Sequence, residues 1–107
     1  HLTACSNDFS FNDVFSRSLE AFGKQTDVLL AISTSGNSKN IIKVLKKAKK
    51  MNIQSIALLG CNGGLAKKFA DNSIIVNSNN TARIQESHIF IGHFILESVE
   101  RKILKNE

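Results

Sequence analysis

The apolar run Val28-Leu29-Leu30-Ala31-Ile32 passes directly into Ser33-Thr34-Ser35-Gly36-Asn37-Ser38, which opens the helical pattern Asn40-Ile41-Ile42-Lys43-Val44-Leu45. An unbroken apolar run, rather than an alternating one, reads as a strand buried on both faces, as in parallel sheets. A strand that leads at once into a helix is the first half of a β-α-β crossover. A second apolar run, Ile53 to Leu59, follows the helix, and a shorter one spans Ser73 to Val76. Strands alternating with helices predict an α/β fold, a three-layer α/β/α arrangement on a parallel sheet. In such sheets ligands lie beyond the carboxyl ends of the strands, which is where the Ser33–Ser38 loop sits.

The remaining elements follow from spacing. Ser10 with Asp13 resembles a capping box, with Asp in place of Glu. Phe11, Val14, Phe15, Leu19 and Phe22 recur at helical intervals, and Gly23 is predicted to close that helix in a left-handed conformation. Ile41, Ile42, Leu45 and Ala48 form the stripe of the next helix, expected to end near Asn52. Gly60 to Gly64 reads as a turn, Leu65 to Phe69 as a short helix, and Asn77 to Asn80 as a polar loop. A long helix from about Ala82 to Leu104 carries Ile84, His88, Ile91, Ile95 and Val99 along one stripe.

With 107 residues the chain predicts one domain, residues 1–107. No apolar run approaches the roughly 20 residues that span a bilayer, so no membrane partner is expected. The start His1-Leu2-Thr3-Ala4 is not that of a signal peptide. It also lacks an initiating Met and opens inside sequence that looks ordered, so the chain reads as part of a longer one. Cys5 and Cys61 have neither CxxC pairing nor zinc-ligand spacing, and read as buried or idle thiols in a reducing cytoplasm. The net charge of +5 rests largely on Lys39, Lys43, Lys46, Lys47, Lys49 and Lys50. No tyrosine or tryptophan interleaves with these lysines to stack on bases, so they predict a solvated helix face and no nucleic-acid partner.

The serine loop has the chemistry of an anion site. The N–H groups of a first helical turn lack intrahelical partners, and the helix dipole favours negative charge there. Three serines and a threonine add hydroxyl donors, and Gly36 permits a tight turn. The Gly-Lys-Ser/Thr ending of a Walker loop is missing, and a single glycine does not make a dinucleotide fingerprint. No nucleotide cofactor is therefore expected. The loop suits a phosphorylated small molecule; the plain alternative is a turn capped by Ser38.

Four stretches together carry a family resemblance. They are Ser6 to Arg17, Asp27 to Ser38, Gly60 to Gly64, and Thr81-Ala82-Arg83-Ile84-Gln85-Glu86-Ser87-His88-Ile89. The chain resembles the sugar isomerase (SIS) fold, of flavodoxin-like type, and within it the phosphoheptose isomerases. The serine loop marks the wider fold; Arg-Ile-Gln-Glu with the later His93 marks the subfamily. Ser6 departs from the family's usual Gly, and Cys61-Asn62 from a charged pair. The family's N-terminal part, with its Gly-rich loop, a catalytic Glu and a metal-binding His, has no counterpart in this chain.

The resemblance implies that Ser33, Thr34, Ser35 and Ser38 hold the substrate phosphate. It implies that Asn7 and Asp8 bond sugar hydroxyls. Gln85 would contact substrate, and His93 would act as acid/base, both becoming ligands where zinc is bound. The implied substrate is sedoheptulose 7-phosphate, converted to glycero-manno-heptose 7-phosphate for surface-glycan or lipopolysaccharide precursors. The implied assembly is a homotetramer with sites between subunits, and the chain alone is expected to be inactive. His88 has no role in the resemblance and is read as structural.

Aldose–ketose isomerisation moves a proton between adjacent carbons, which needs a base on carbon and an acid on oxygen; imidazole suits either task. On one helix Gln85 and His93 are separated by about 12 Å, at about 1.5 Å per residue. Either the helix begins after Gln85 or the two meet from different subunits, the second being preferred. Two non-catalytic relatives compete: replication-initiator-associating proteins and sugar-phosphate-sensing domains. The first carry Arg in place of Ser35 and lose the helix histidine; the second usually carry a DNA-binding module, which this chain lacks.

Overall fold

A computed structural model describes residues 11–105, and the expected sugar-binding pair Asn7 and Asp8, the cap residue Ser10 and Cys5 lie outside the described residues. After a single 3-10 turn at Phe11–Asp13, the chain runs α1 (Val14–Phe22), β1 (Val28–Ser33), α2 (Lys39–Lys50), β2 (Gln54–Gly60), a 3-10 turn (Ala66–Lys68), β3 (Asn72–Val76) and α3 (Thr81–Lys105). The three strands are parallel in the order β1-β2-β3. Val28 faces Gln54 and Ser33 faces Leu59 in one ladder; Ile56 faces Asn72 in the next.

Alternation along the strands divides the sheet into two faces. Ala31, Ala57 and Leu59 pack with Leu45 of α2 and Ala66, and partly buried Leu29, Ile41, Ile42 and Phe69 close around them. Leu30 and Ile32 point the other way, towards α3, whose buried residues are Ile84 and His88. The α/β/α layering expected from the sequence is therefore present. Ser55 and Asp71 clamp the start of β3: the Ser55 N–H donates to Asp71 Oδ2 at 2.9 Å and the Asp71 N–H to Ser55 Oγ at 3.1 Å.

Three expectations need correction. Gly23 is extended rather than left-handed, with φ −76° and ψ 145°. It is glycine because a side chain there would lie 2.7 Å from the Leu19 carbonyl oxygen and 2.9 Å from Ile53. The short helix after the Gly60–Gly64 turn is one 3-10 turn, Ala66–Lys68, too short for an α-helical repeat. The long apolar stripe of α3 is buried only at Ile84 and His88; Val99 is 49% exposed. Among the described residues the sheet has three strands, and no residue of that helix beyond His88 is buried against it.

Candidate active site

The serine loop leaves the carboxyl end of β1 as anticipated, and its hydroxyls are organised by one another and by the loop backbone. Ser33 Oγ is buried, accepts the Gly36 N–H at 3.0 Å, and lies 3.1 Å from Ser38 Oγ. Ser35 Oγ accepts the Asn37 N–H at 3.0 Å. Gly36 sits at φ 71°, a region open to glycine and costly for other residues. Each hydroxyl that accepts from the backbone keeps its own proton to donate. The Ser33–Ser38 pair consumes one proton in its mutual bond and keeps one; Ser35 keeps its own. The Ser33–Ser38 pair and Ser35 thus each have an O–H left to donate, which an anion can accept.

Ser38 stands at the N-cap of α2, but its hydroxyl makes no capping bond. The plain alternative of a Ser38 cap is thereby set aside: the side chain turns to Ser33 instead. In the first turn of α2 the Ile41 N–H donates to Asn40 Oδ1 at 2.8 Å, and the helix keeps its dipole directed at the loop.

Ser33, Thr34 and Ser38 form one end of an open groove of ≈ 660 Å³, whose wall is Leu30 and Ile32 of β1 and whose other side is α3. Gln85, His88, Gly92 and His93 of α3 line it. The structure thus brings the phosphate-loop residues, Gln85 and His93 to a single groove. Ser35 belongs to the loop without lining that groove. Because α3 is continuous from Thr81 to Lys105, the idea that a helix begins after Gln85 is removed. Within one chain the two side chains remain about two helical turns apart.

His88 and Gly92 were not anticipated at this site, yet helical spacing from Gln85 and His93 would have found them. His88 Nε2–H donates to the Leu59 carbonyl at 2.8 Å, and its Nδ1 is buried with no partner. Gly60 explains how α3 comes so close: a side chain there would lie 2.7 Å from Ile84 and 2.4 Å from the Thr34 carbonyl oxygen.

Zinc prefers four donors in a tetrahedral set. Among the described residues no group of three or more His, Cys, Asp or Glu could hold a metal, and the groove offers two imidazoles, His88 and His93, and one amide, Gln85. These residues alone do not make a zinc site. Cys61 is a free, half-buried thiol in a left-handed turn, with φ 54°. No helix among the described residues is long and apolar enough to cross a membrane.

A profile of the SIS domain matches residues 2–60, more than half of the chain. The chain belongs to the SIS domain family. Two curated proteins similar to this SIS domain are phosphoheptose isomerases: that of Clostridium acetobutylicum is 49% identical over 102 residues, and that of Sulfurimonas denitrificans 51%. Each alignment covers 95% of this chain and 52% of the relative. The chain spans about half the length of the curated relatives it matches. Among solved structures, phosphoheptose isomerase GmhA from Neisseria gonorrhoeae superposes with a TM-score of 0.87 at 42% identity, over 92% of this chain and 56% of that one. A phosphoheptose isomerase from Francisella tularensis gives 0.85 at 35% identity, over 90% and 52%. The SIS reading of the strand–serine loop–helix segment thus has independent support from sequence and from shape.

Proposed function

We propose that the full-length protein carrying this chain is a phosphoheptose isomerase, interconverting sedoheptulose 7-phosphate and glycero-manno-heptose 7-phosphate in the cytoplasm as a source of surface-glycan heptose. The observation that supports this best is the groove in which Ser33, Thr34 and Ser38 of the serine loop meet Gln85 and His93. Relatives of this name at about half identity support the same substrate class.

The chemistry follows from the arrangement. Loop hydroxyls and the start of α2 hold the phosphate, remote from the reacting carbons. Binding energy from that remote group positions the carbonyl end of the sugar along α3. A base removes a proton from carbon 1 of the ketose while an acid delivers one to the carbonyl oxygen at carbon 2, giving an enediol. Reprotonation at carbon 2, with loss of the proton on oxygen 1, gives the aldose. His93 serves one of these transfers, and Gln85 orients a sugar oxygen. The second acid/base group comes from outside this chain. Should zinc be required, Gln85 and His93 would be two donors and the remainder would come from elsewhere in the protein. A homotetramer with sites shared between subunits would reconcile the separation of Gln85 and His93 with a single small substrate. The presence of Ser35 and His93 argues against a replication-initiator-associating relative.

The decisive experiment compares Ser33→Ala, Ser35→Ala and Ser38→Ala in the full-length protein. Loss of one hydrogen bond to a charged group costs about 1.5–3 kcal/mol, so KM should rise by roughly 10- to 150-fold. An unchanged KM in all three variants would overturn the phosphate assignment.

A further inference from the structure

The anion loop is pressed against a second loop distant in sequence. Gly36 and the Gly63–Gly64 backbone approach so closely that a Cβ on Gly36 would lie 2.1 Å from the Gly63 carbonyl oxygen, and one on Gly64 would lie 2.6 Å from the Gly36 carbonyl. Two hydrogen bonds join the same surfaces. The Ala66 N–H donates to the Gly36 carbonyl at 2.8 Å, and the Leu65 N–H donates to Asn37 Oδ1 at 2.9 Å. The second loop is itself braced, since the Gly64 N–H donates to Asn62 Oδ1 at 3.0 Å. The Gly36 carbonyl and the Asn37 side chain, immediately after Ser35, are therefore held from outside the loop.

We propose that Asn37 and the Gly63–Gly64 turn are positioning elements, a rigid mould that sets the anion loop in its binding shape before phosphate arrives. This rests on the reading of the Ser33–Ser38 loop as the phosphate grip. The physical gain is preorganisation: hydroxyls and N–H groups already fixed need not be ordered when the anion binds. Asn37 touches no substrate in this scheme; its amide oxygen acts through Leu65, and Gly64 acts by leaving room for Gly36.

The test uses the full-length protein with inorganic phosphate as the probe, followed by calorimetry, alongside melting curves. Asn37→Ala removes the acceptor for the Leu65 N–H and should weaken phosphate binding by about 3- to 10-fold, the range of one neutral hydrogen bond. Gly64→Ala forces the two backbones apart and should weaken it further; if that variant does not fold, Asn37→Ala decides. A second readout separates positioning from general damage. The preference for sedoheptulose 7-phosphate over unphosphorylated sedoheptulose should fall in Asn37→Ala, with the affinity for the unphosphorylated sugar retained. Equal losses for both sugars would overturn the proposal. Ser35→Ala separates the two levels. If it weakens phosphate binding while Asn37→Ala does not, the mould is wrong and the grip stands. If Ser35→Ala leaves phosphate binding unchanged, the grip itself is wrong.

Discussion

His88 and His93 occupy one helix and meet opposite surroundings. His88 is 3% exposed and bonded to the Leu59 carbonyl, whereas His93 is exposed in the groove. They should therefore fail in different ways. His93→Asn in the full-length protein should leave the melting temperature and sugar-phosphate affinity nearly intact while turnover falls by about 10²- to 10⁴-fold, the usual loss for an acid–base group. His88→Ala removes a buried ring and its bond across to the sheet, and should lower stability by about 2–4 kcal/mol. Turnover, melting and a binding isotherm on both variants check the pair. A normal rate per folded molecule in His93→Asn would make that residue a packing group. The role of His93 was approachable from the sequence only through resemblance, because a lone histidine among Phe90, Ile91 and Phe94 looks like a core residue. The environment of His88 was legible from helical spacing, but not its bond to a strand carbonyl.

At the scale of elements, the lysine-rich face of α2 is less free than a solvated face would be. Lys43 meets Asp13 at 2.8 Å, Lys47 meets Glu20 at 2.8 Å, and Lys46 lies 4.8 Å from the centre of the Phe69 ring. These contacts tie α2 to the 3-10 turn before α1, to α1 itself and to the segment before β3. The Lys47 ammonium, through its hydrogen bond and its charge, holds the Glu20 carboxyl below the ordinary glutamate value, with a smaller contribution from Arg17. A carboxyl lowered on folding stabilises the fold at pH above its unfolded value, and that contribution is lost as pH falls through the folded value. Lys47→Met should therefore return the Glu20 titration towards its ordinary position, read by NMR of the carboxyl carbon; an unmoved titration would show that the pair is not formed in solution.

The pattern of what was legible follows from range. Strand–loop–helix order, the parallel sheet and the serine loop were readable because each depends on local spacing and burial. Gly23 departs from the left-handed expectation because it is crowded by the Leu19 carbonyl and by Ile53, and the second of these lies thirty positions away. The Gly36–Gly64 contact was invisible for the same reason. Ser38 was a fair candidate for a cap, and only its distance to Ser33 shows the other use of that hydroxyl.

On the scale of the whole molecule, the surface is uneven. Phe90, Phe94 and Leu96 of α3 are 73%, 64% and 65% exposed, and Val28 and Ile32 of β1 are also exposed. Phe90 and Phe94, four residues apart, share one face of α3, and exposed apolar surface of this kind marks contact with other protein. Under the proposed tetramer, Phe94→Glu in the full-length protein should shift the assembly towards smaller species, measured by sedimentation. A tetramer unaffected by that charge would place the subunit contact elsewhere.

The order β1-β2-β3 repeats the order of the strands in the chain. Among the described strands each therefore adds to an edge that the preceding one has already made, and none of the three must insert between two earlier ones. During synthesis, when the N-terminal part emerges first, this sheet can be laid down strand by strand as it leaves the ribosome. The growing edge is open only for the time taken to make one helix or turn, a short exposure for hydrogen-bonding groups that would otherwise pair with a neighbouring nascent chain.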